Sequence, residues 1–288
     1  MNSRTLKPYI LLAPVLMILS GIFIGGLSMA LAQSLGYFPV VGLRNITLFY
    51  YREVLRDSSF LTALAFSLYT SFVSSLFSVG IGVLLSYLLI QKNNSEKLVS
   101  IFYKLPIIVP HTVAVLLMLN IFFDSGILAR LFYHLDLIQD SSQFSKLVFD
   151  KRGFGIIITY IWKEVPFITM VVYTVMSKIN SKLADAAANL GANRRQIFIH
   201  VLLPLLLPTI SSAFIIIFAF SFGAFEVPYL IGPTFPKALP VMAYINYIHP
   251  DMTNRPYTMV ILMCITFICI LLTMLYTKLF NLILQYDR

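Results

Sequence analysis

Charged residues are scarce in this sequence. Asp, Glu, Lys and Arg make up 11% of its 288 residues, whereas hydrophobic residues make up 59%. A soluble domain carries about 25% charged residues, so a soluble fold of this composition would lack the polar side chains needed to cover its surface. We therefore expect most of the chain to lie in lipid.

Several chemical groups that define enzymes are also missing. The only two cysteines, Cys264 and Cys269, are five residues apart in one apolar stretch and would face different sides of a helix, so we interpret them as packing residues rather than a disulfide. There is no Cys/His cluster for a metal and no Gly-x-x-x-x-Gly-Lys-[Ser/Thr] loop for ATP. The apolar stretches also lack a His/Asp/Glu cluster, which argues against an intramembrane enzyme. We predict no catalytic residue and no cofactor on this chain.

Long hydrophobic runs dominate what is present. Each of six runs is long enough to cross a hydrocarbon core of about 30 Å as a helix. Barrel strands would instead alternate over about ten residues. The predicted spans are 9–32, 63–90, 105–123, 153–177, 202–224 and 256–277. The sequence therefore predicts an all-α membrane protein in which residues 1–288 form a single transmembrane domain.

The net charge of +9 is best explained by membrane topology, and no nucleic-acid partner is expected. Segments 91–104 and 178–200 are rich in Lys and Arg, whereas acidic residues collect in the alternate loops. Short basic loops remain in the cytoplasm. We expect cytoplasmic termini, with outer loops at about 33–62, 124–152 and 225–255.

The first span ends in Ala30-Leu31-Ala32, which is similar to a signal-peptidase site. Its apolar run is longer than the usual 7–15 residues of a signal peptide, so we predict a transmembrane helix.

The second span carries a stripe of small residues that would let another helix approach closely. Packing within the subunit is favoured for this stripe, and a contribution to a pore wall is the alternative. The stripe consists of Ser67, Ser71, Ser75, Ser78, Gly82 and Ser86.

The segment between the fourth and fifth spans predicts a helix, a turn and a second helix. Asn180 or Ser181 can cap the first helix, and Gly191 can adopt the positive φ that ends it. Asn193 and Gln196 have the spacing of a capping box for the second helix. Such a rigid cytoplasmic projection suits mechanical coupling to another protein, although an ordinary loop remains an alternative.

The same segment resembles the EAA loop of binding-protein-dependent ABC permeases. In that family Glu-Ala-Ala is followed by Gly and then by Ile-x-Leu-Pro, and this sequence has Asp185-Ala186-Ala187, Gly191 and Val201-Leu202-Leu203-Pro204 at the same spacings. Asp185 replaces Glu and Val201 replaces Ile. The shorter Asp185 would weaken or rearrange the ion pair that the family's Glu makes with the ATPase. We call residues 178–204 the coupling segment.

This resemblance implies the fold of a type I ABC importer permease with six transmembrane helices in the bacterial inner membrane. The expected partners are two ATPase subunits that hold ATP and Mg, a second permease subunit, either the same or different, and an extracytoplasmic solute-binding protein. The resemblance places ATPase coupling on Asp185, Ala186, Ala187, Gly191, Arg194, Arg195, Val201, Leu203 and Pro204. Weaker similarity at 58–61, 162–167 and 225–228 points to importers of the polyamine, phosphonate and thiamine kind.

Three charged residues lie within or beside the spans. Lys163 and Glu164 are in span four, and Glu226 follows span five. An ionisable residue at mid-bilayer costs about 2.5–3.5 kcal/mol, so each of these residues is a candidate for the translocation path. Structural contacts between helices, or placement at the membrane interface, are favoured over this role. The two acids favour a polyamine-like cation, whereas Lys163 favours an anion such as a phosphonate. A stand-alone secondary transporter or channel remains the alternative function.

Overall fold

A computed structural model describes residues 3–91, 105–140, 143–144, 146–179 and 181–286. Side chains are described except at 3–10, 91, 181–182, 184–185 and 279–286. Within the described residues the regular secondary structure is helical, apart from one isolated bridge between Phe38 and Leu43. The prediction of an all-α membrane protein is confirmed.

The helices follow one another in chain order with short connections. Their bounds are α1 (Ser3–Ser34), α2 (Phe49–Arg56), α3 (Ser58–Gln91), α4 (His111–Phe122), α5 (Ile127–His134), α6 (Phe154–Met176), α7 (Ser181–Asn189), α8 (Arg194–Ile197), α9 (Leu203–Gly223), α10 (Glu226–Ile231), α11 (Leu239–Tyr247) and α12 (Arg255–Tyr286). A π-helical turn, Phe198–Leu202, joins α8 to α9.

Six helical stretches of the described chain are long and apolar enough to cross a membrane. They are Leu11–Ser34, Ser58–Ile90, His111–His134, Phe154–Met176, Arg194–Gly223 and Met252–Lys278. Each contains or overlaps one predicted span. The third differs most, because the helical turn at residues 105–108 ends before Pro110 and α4 begins only after it, since proline disfavours helical backbone at the residue before it. The predicted outer loop 124–152 also contains a helix, α5, whose apolar residues recur at helical spacing.

The chain divides into two compact units. One comprises residues 1–61 and 242–267, and the other comprises 62–241 and 268–288. In the first unit, the hydroxyls of Ser34 and Tyr51 lie 2.9 Å apart, and the rings of Tyr50 and Tyr257 pack edge to face at 5.0 Å between centroids. These contacts hold α2 against the ends of α1 and α12.

The second unit contains two apolar clusters along α6. The cluster near the start of α6 includes Ile156 and Tyr160 together with Val115 of α4 and Val227 of α10. The cluster near its end packs Ile168 and Val172 against α9. Because α6 contributes to both clusters, its middle residues 163–166 lie between them along the helix.

The small-residue stripe of α3 faces α6 within this unit. Ser86 Oγ donates to the carbonyl oxygen of Thr169 at 3.0 Å. A Cβ atom added at Gly82 would lie 2.6 Å from Cγ2 of Ile168, so only glycine permits this approach. The stripe therefore packs against a helix of the same chain, as favoured from the sequence.

Large apolar side chains are exposed over much of the helical surface. Along α1, Leu11 is 76% exposed and Phe23 is 70% exposed. Side chains of this kind are stable when lipid or another apolar surface covers them. Their exposure in the single chain agrees with a membrane environment.

Candidate functional site

The coupling segment forms the expected helix, turn and helix. α7 ends at Asn189, and Gly191, two residues further on, has φ of +87°. The amide of Gly191 donates to Ala188 O at 2.9 Å, and that of Ala192 donates to Ala187 O at 3.0 Å. This pair of bonds is the Schellman arrangement, which requires a left-handed residue at the position of Gly191. Asn180, one proposed cap of α7, lies outside the described residues.

The second helix of the coupling segment begins at a complete capping box. Asn193 Oδ1 accepts from the Gln196 amide at 2.9 Å, and the Asn193 amide donates to Gln196 Oε1 at 2.8 Å. Both bonds satisfy donors that a helix start would otherwise leave free. The turn between α7 and α8 is therefore fixed from both sides, which makes the projection rigid.

The outer face of the coupling segment is exposed and partly apolar. Leu190 is 89% exposed and Leu183 is 50% exposed. They are seven positions apart, a spacing that places residues on one face of a helix. Arg194 and Arg195 are also exposed. The side chain of Asp185 lies outside the described part of the structure. A projecting apolar and basic face of this kind is suited to contact with another protein.

Tyr87 of α3 contacts the inner side of the coupling segment. Its ring centroid lies 4.3 Å from that of Phe198, the first residue of the π turn, and its hydroxyl donates to Arg194 O at 3.4 Å. The π turn contains Val201, which is half-buried, and leads directly into α9, where Leu203 is half-buried and Pro204 is exposed. The coupling segment is thus joined to two long helices, α3 and α9.

Glu164 lies at the middle turn of α6 and is 5% exposed. Its Oε2 accepts a hydrogen bond from Ser78 Oγ of α3 at 2.9 Å, and its Oε1 is hydrogen-bonded to Ser221 Oγ of α9. One carboxyl group therefore connects three long helices. In this arrangement Glu164 is enclosed by protein and does not face a solute.

Lys163 points away from Glu164 and is half-buried. Its Nζ donates to the carbonyl oxygens of Pro106, at 2.7 Å, and Val109. Pro110 has no N–H, so it cannot donate to the Pro106 carbonyl four residues before it, and Lys163 supplies a donor there. Lys163 is thus engaged with the segment that precedes α4.

Glu226 is the first residue of α10 and is exposed. Electrostatic interactions link His111 with both Lys163 and Glu226, and link Tyr160 with both Glu164 and Glu226. The three charged residues singled out from the sequence therefore lie in one region of the second unit, although Glu164 and Lys163 have separate hydrogen-bond partners.

Several residues of this region escaped the sequence analysis. Ser221 and Phe198 have no sequence signal that separates them from other membrane-helix residues. Ser78 belongs to the small-residue stripe, but spacing alone does not show that it faces Glu164. His111 follows Pro110 and could have been noted as a polar residue at the start of a span.

A family model described as binding-protein-dependent transport system inner membrane component matches residues 58–284. This range includes the coupling segment and both ends of the helices that hold Glu164. The chain belongs to this family.

Curated relatives match over shorter ranges. The chain is 38% identical over 81 residues to the inner membrane ABC transporter permease protein YdcU of Escherichia coli (strain K12), covering 28% of this chain and 25% of that protein. It is 26% identical over 187 residues to the sulfate transport system permease protein CysT of the same strain, covering 65% and 64%. It is 37% identical over 78 residues to the spermidine/putrescine transport system permease protein PotC homolog of Mycoplasma pneumoniae, covering 27% of each. The matches thus span less than two thirds of these relatives.

The fold is shared with a solved transporter chain. A chain of a bacterial ABC transporter involved in the import of the acidic polysaccharide alginate superposes with a TM-score of 0.75 at 20% identity. The superposition covers 96% of this chain and 98% of that one. The prediction of an ABC importer permease fold is confirmed.

Proposed function

We propose that this chain is the transmembrane permease subunit of an ABC importer and forms half of the path for a small polar solute. The observation that carries the proposal is the rigid, exposed coupling segment, which has the residue pattern of the EAA loop and projects between two long membrane helices. A transport subunit of this kind performs no chemistry itself. ATP and Mg would bind to partner ATPases.

The proposed partners follow from the surfaces that the chain exposes. Leu183 and Leu190 would enter a cleft in an ATPase subunit, with Arg194 and Arg195 at its rim. A second permease subunit, identical or different, would complete the path and bind the second ATPase. A solute-binding protein would dock outside, where α5, α10 and α11 lie in the predicted outer loops.

The proposed coupling mechanism uses contacts within the chain. When ATP brings the ATPases together, the coupling segment would move as one body, because the Gly191 turn and the Asn193 capping box fix its shape. The movement would pass into α9 through the π turn and into α3 through Tyr87. Both helices hold Glu164 of α6, so their displacement would change the packing at the middle of the membrane.

We place the chain in the bacterial cytoplasmic membrane, with the termini and the coupling segment in the cytoplasm. The basic residues of segments 91–104 and 178–200 support this orientation. Reporter fusions at the C-terminus and within 225–255 would test it. A cytoplasmic signal from the C-terminus and an outer signal from the loop are expected, and the reverse pattern would refute the orientation.

The substrate proposal is a small polar solute, with a polyamine-like cation favoured over a phosphonate, another small anion or thiamine. Lys163 binds backbone carbonyls and Glu164 is buried, so neither presents a free charge to a solute. The exposed carboxylate of Glu226 is the remaining support for a cation. The relatives named above transport sulfate in one case and spermidine or putrescine in another, so they favour neither charge.

The coupling proposal is tested by replacing Leu190 with Asp. Because Leu190 is 89% exposed, the change removes no internal contact and should leave the chain folded. We expect loss of ATPase co-purification and of ATP-driven uptake into vesicles. Leu137→Asp, a second exposed leucine in a predicted outer loop, is the matched control and should retain the ATPase. Uptake by the single chain with an ion gradient and without ATP would overturn the proposal.

The substrate is tested by competition in vesicles that contain the whole transporter. Glu226→Gln should weaken uptake of a polyamine several-fold, whereas Glu226→Asp should restore most of it. Equal uptake by the wild type and both variants would show that Glu226 does not contribute to the translocation path. Competition by sulfate or a phosphonate, with none by spermidine, would contradict the cation.

A further inference from the structure

The hydrogen bonds around Glu164 indicate whether its carboxyl group is protonated. Ser221 Oγ lies within hydrogen-bond distance of two oxygens, Glu164 Oε1 and the Ile217 carbonyl, the latter at 2.9 Å. A serine hydroxyl carries one hydrogen and can fully donate to only one acceptor. The number of hydrogens available at this cluster therefore depends on whether Glu164 is ionised.

The ionised form leaves one of these contacts without a hydrogen. Ser78 would donate to one carboxylate oxygen and Ser221 to the other, so Ser221 would have no hydrogen for the Ile217 carbonyl. The neutral acid accounts for every contact. Glu164 then donates to Ser221 Oγ, Ser221 donates to Ile217 O, and Ser78 donates to the other oxygen of Glu164.

The surrounding charges do not offset a buried carboxylate. Lys163, the neighbouring cation, is directed to the carbonyls of Pro106 and Val109. Within the described residues, no Lys, Arg or His nitrogen pairs with Glu164. The other titratable groups of the same unit near this region are Tyr160 on α6, His111 on α4 and Glu226 on α10, and the last adds negative charge. α3 and α9 contribute serine hydroxyls. Burial of an unpaired charge is unfavourable, so the neutral form is favoured.

We propose that Glu164 is held as the neutral carboxylic acid in this arrangement and holds α3, α6 and α9 together while it is protonated. We call its hydrogen bonds with Ser78 and Ser221 the clasp. Separation of these helices would admit water to the carboxyl group and release the proton. The hydroxyls of Ser75 and Tyr160 are buried and have no hydrogen-bond partner among the described residues. They lie one turn from Ser78 and Glu164 respectively, and supply polar groups near the clasp for such water. This inference rests on packing and does not depend on the importer assignment.

The direction of the pH effect follows from linkage. The clasped arrangement binds one proton more than a separated, hydrated arrangement does at neutral pH. Raising the pH therefore favours separation, and lowering it favours the clasp. Glutamine at this position cannot release a proton, but it keeps one acceptor for Ser78 and one donor for Ser221.

The test is infrared spectroscopy of the full-length chain, purified with the subunits that accompany it, as a function of pH. We expect a protonated carboxyl carbonyl band at neutral pH in the wild type, lost in Glu164→Gln and kept in Glu53→Gln, which changes an exposed carboxylate. Thermal stability should fall as the pH rises from about 4, where a hydrated glutamic acid begins to ionise, through neutral in the wild type, and it should fall less in Glu164→Gln. If Glu164→Gln fails to fold, Ser221→Ala provides the second variant and should keep the band with a shifted frequency. A spectrum of the wild type without this band at neutral pH would overturn the proposal.

Discussion

The ring of Tyr87, near the end of α3, packs 4.3 Å from the ring of Phe198, at the start of the π turn. This contact joins a membrane helix to the coupling segment, which is distant in sequence. α9 is already connected to that segment through the chain, whereas α3 is connected to it through side chains such as Tyr87. Under the proposed mechanism, we expect this contact to decide whether α3 responds together with α9 when the segment moves.

Replacement of Tyr87 tests this link. Tyr87→Ala removes an aromatic pair worth about 0.5–1.5 kcal/mol, so we expect transport per ATP hydrolysed to fall several-fold while ATPase binding persists. Tyr87→Phe loses only the long hydrogen bond to Arg194 and should behave nearly as the wild type. The measurement is uptake and ATP hydrolysis in the same vesicles. Tyr69→Ala, an exposed tyrosine on the same helix, is the control, and an equal loss in both alanine variants would contradict the role of Tyr87.

Much of the fold follows from composition and spacing, because bilayer thickness and helix periodicity act on the sequence locally. The spans, the Gly191 turn and the Asn193 capping box all depend on residues within a few positions of one another. The partners of Glu164 and Tyr87 are different, since 86 and 107 residues separate Ser78 from Glu164 and Tyr87 from Arg194. Such contacts depend on how whole helices pack, and one sequence contains no local signal for them.

The packing of α3 on α6 is tested at Gly82. An added Cβ would approach Cγ2 and Cβ of Ile168 at 2.6 and 2.7 Å, so Gly82→Ala must displace α6 and should cost about 1–3 kcal/mol. Gly80, two residues away, has open space around its Cβ position, and Gly80→Ala should be neutral or slightly stabilising. Thermal unfolding in detergent compares the two. Equal melting temperatures for both variants would show that the helices do not meet at Gly82.

Substitutions at Gly191 test the effect of backbone conformation on the coupling segment. Its Cβ position is open, so a substitution there is opposed by the φ of +87° and not by a clash. We expect Gly191→Ala to disfavour the turn by about 1–2 kcal/mol, Gly191→Val to disfavour it more, and Gly191→Asn to have a smaller effect. The readout is ATPase activity of the assembled transporter, with Gly223→Ala as a control at an open position without positive φ. A normal Gly191→Val complex would mean that the turn is not needed for coupling.

Replacement of Lys163 distinguishes a structural role for this residue from a role in solute binding. Lys163→Met keeps the apolar stem but leaves the carbonyls of Pro106 and Val109 without their donor, which should cost about 1–3 kcal/mol of stability. If the contact is structural, the variant unfolds at lower temperature while the apparent affinity for the solute stays unchanged in vesicles assayed below that temperature. Lys237→Met, which removes a charge at a site with no proposed contact, controls for the change in net charge. Weaker solute affinity with an unchanged melting temperature would instead place Lys163 in the translocation path.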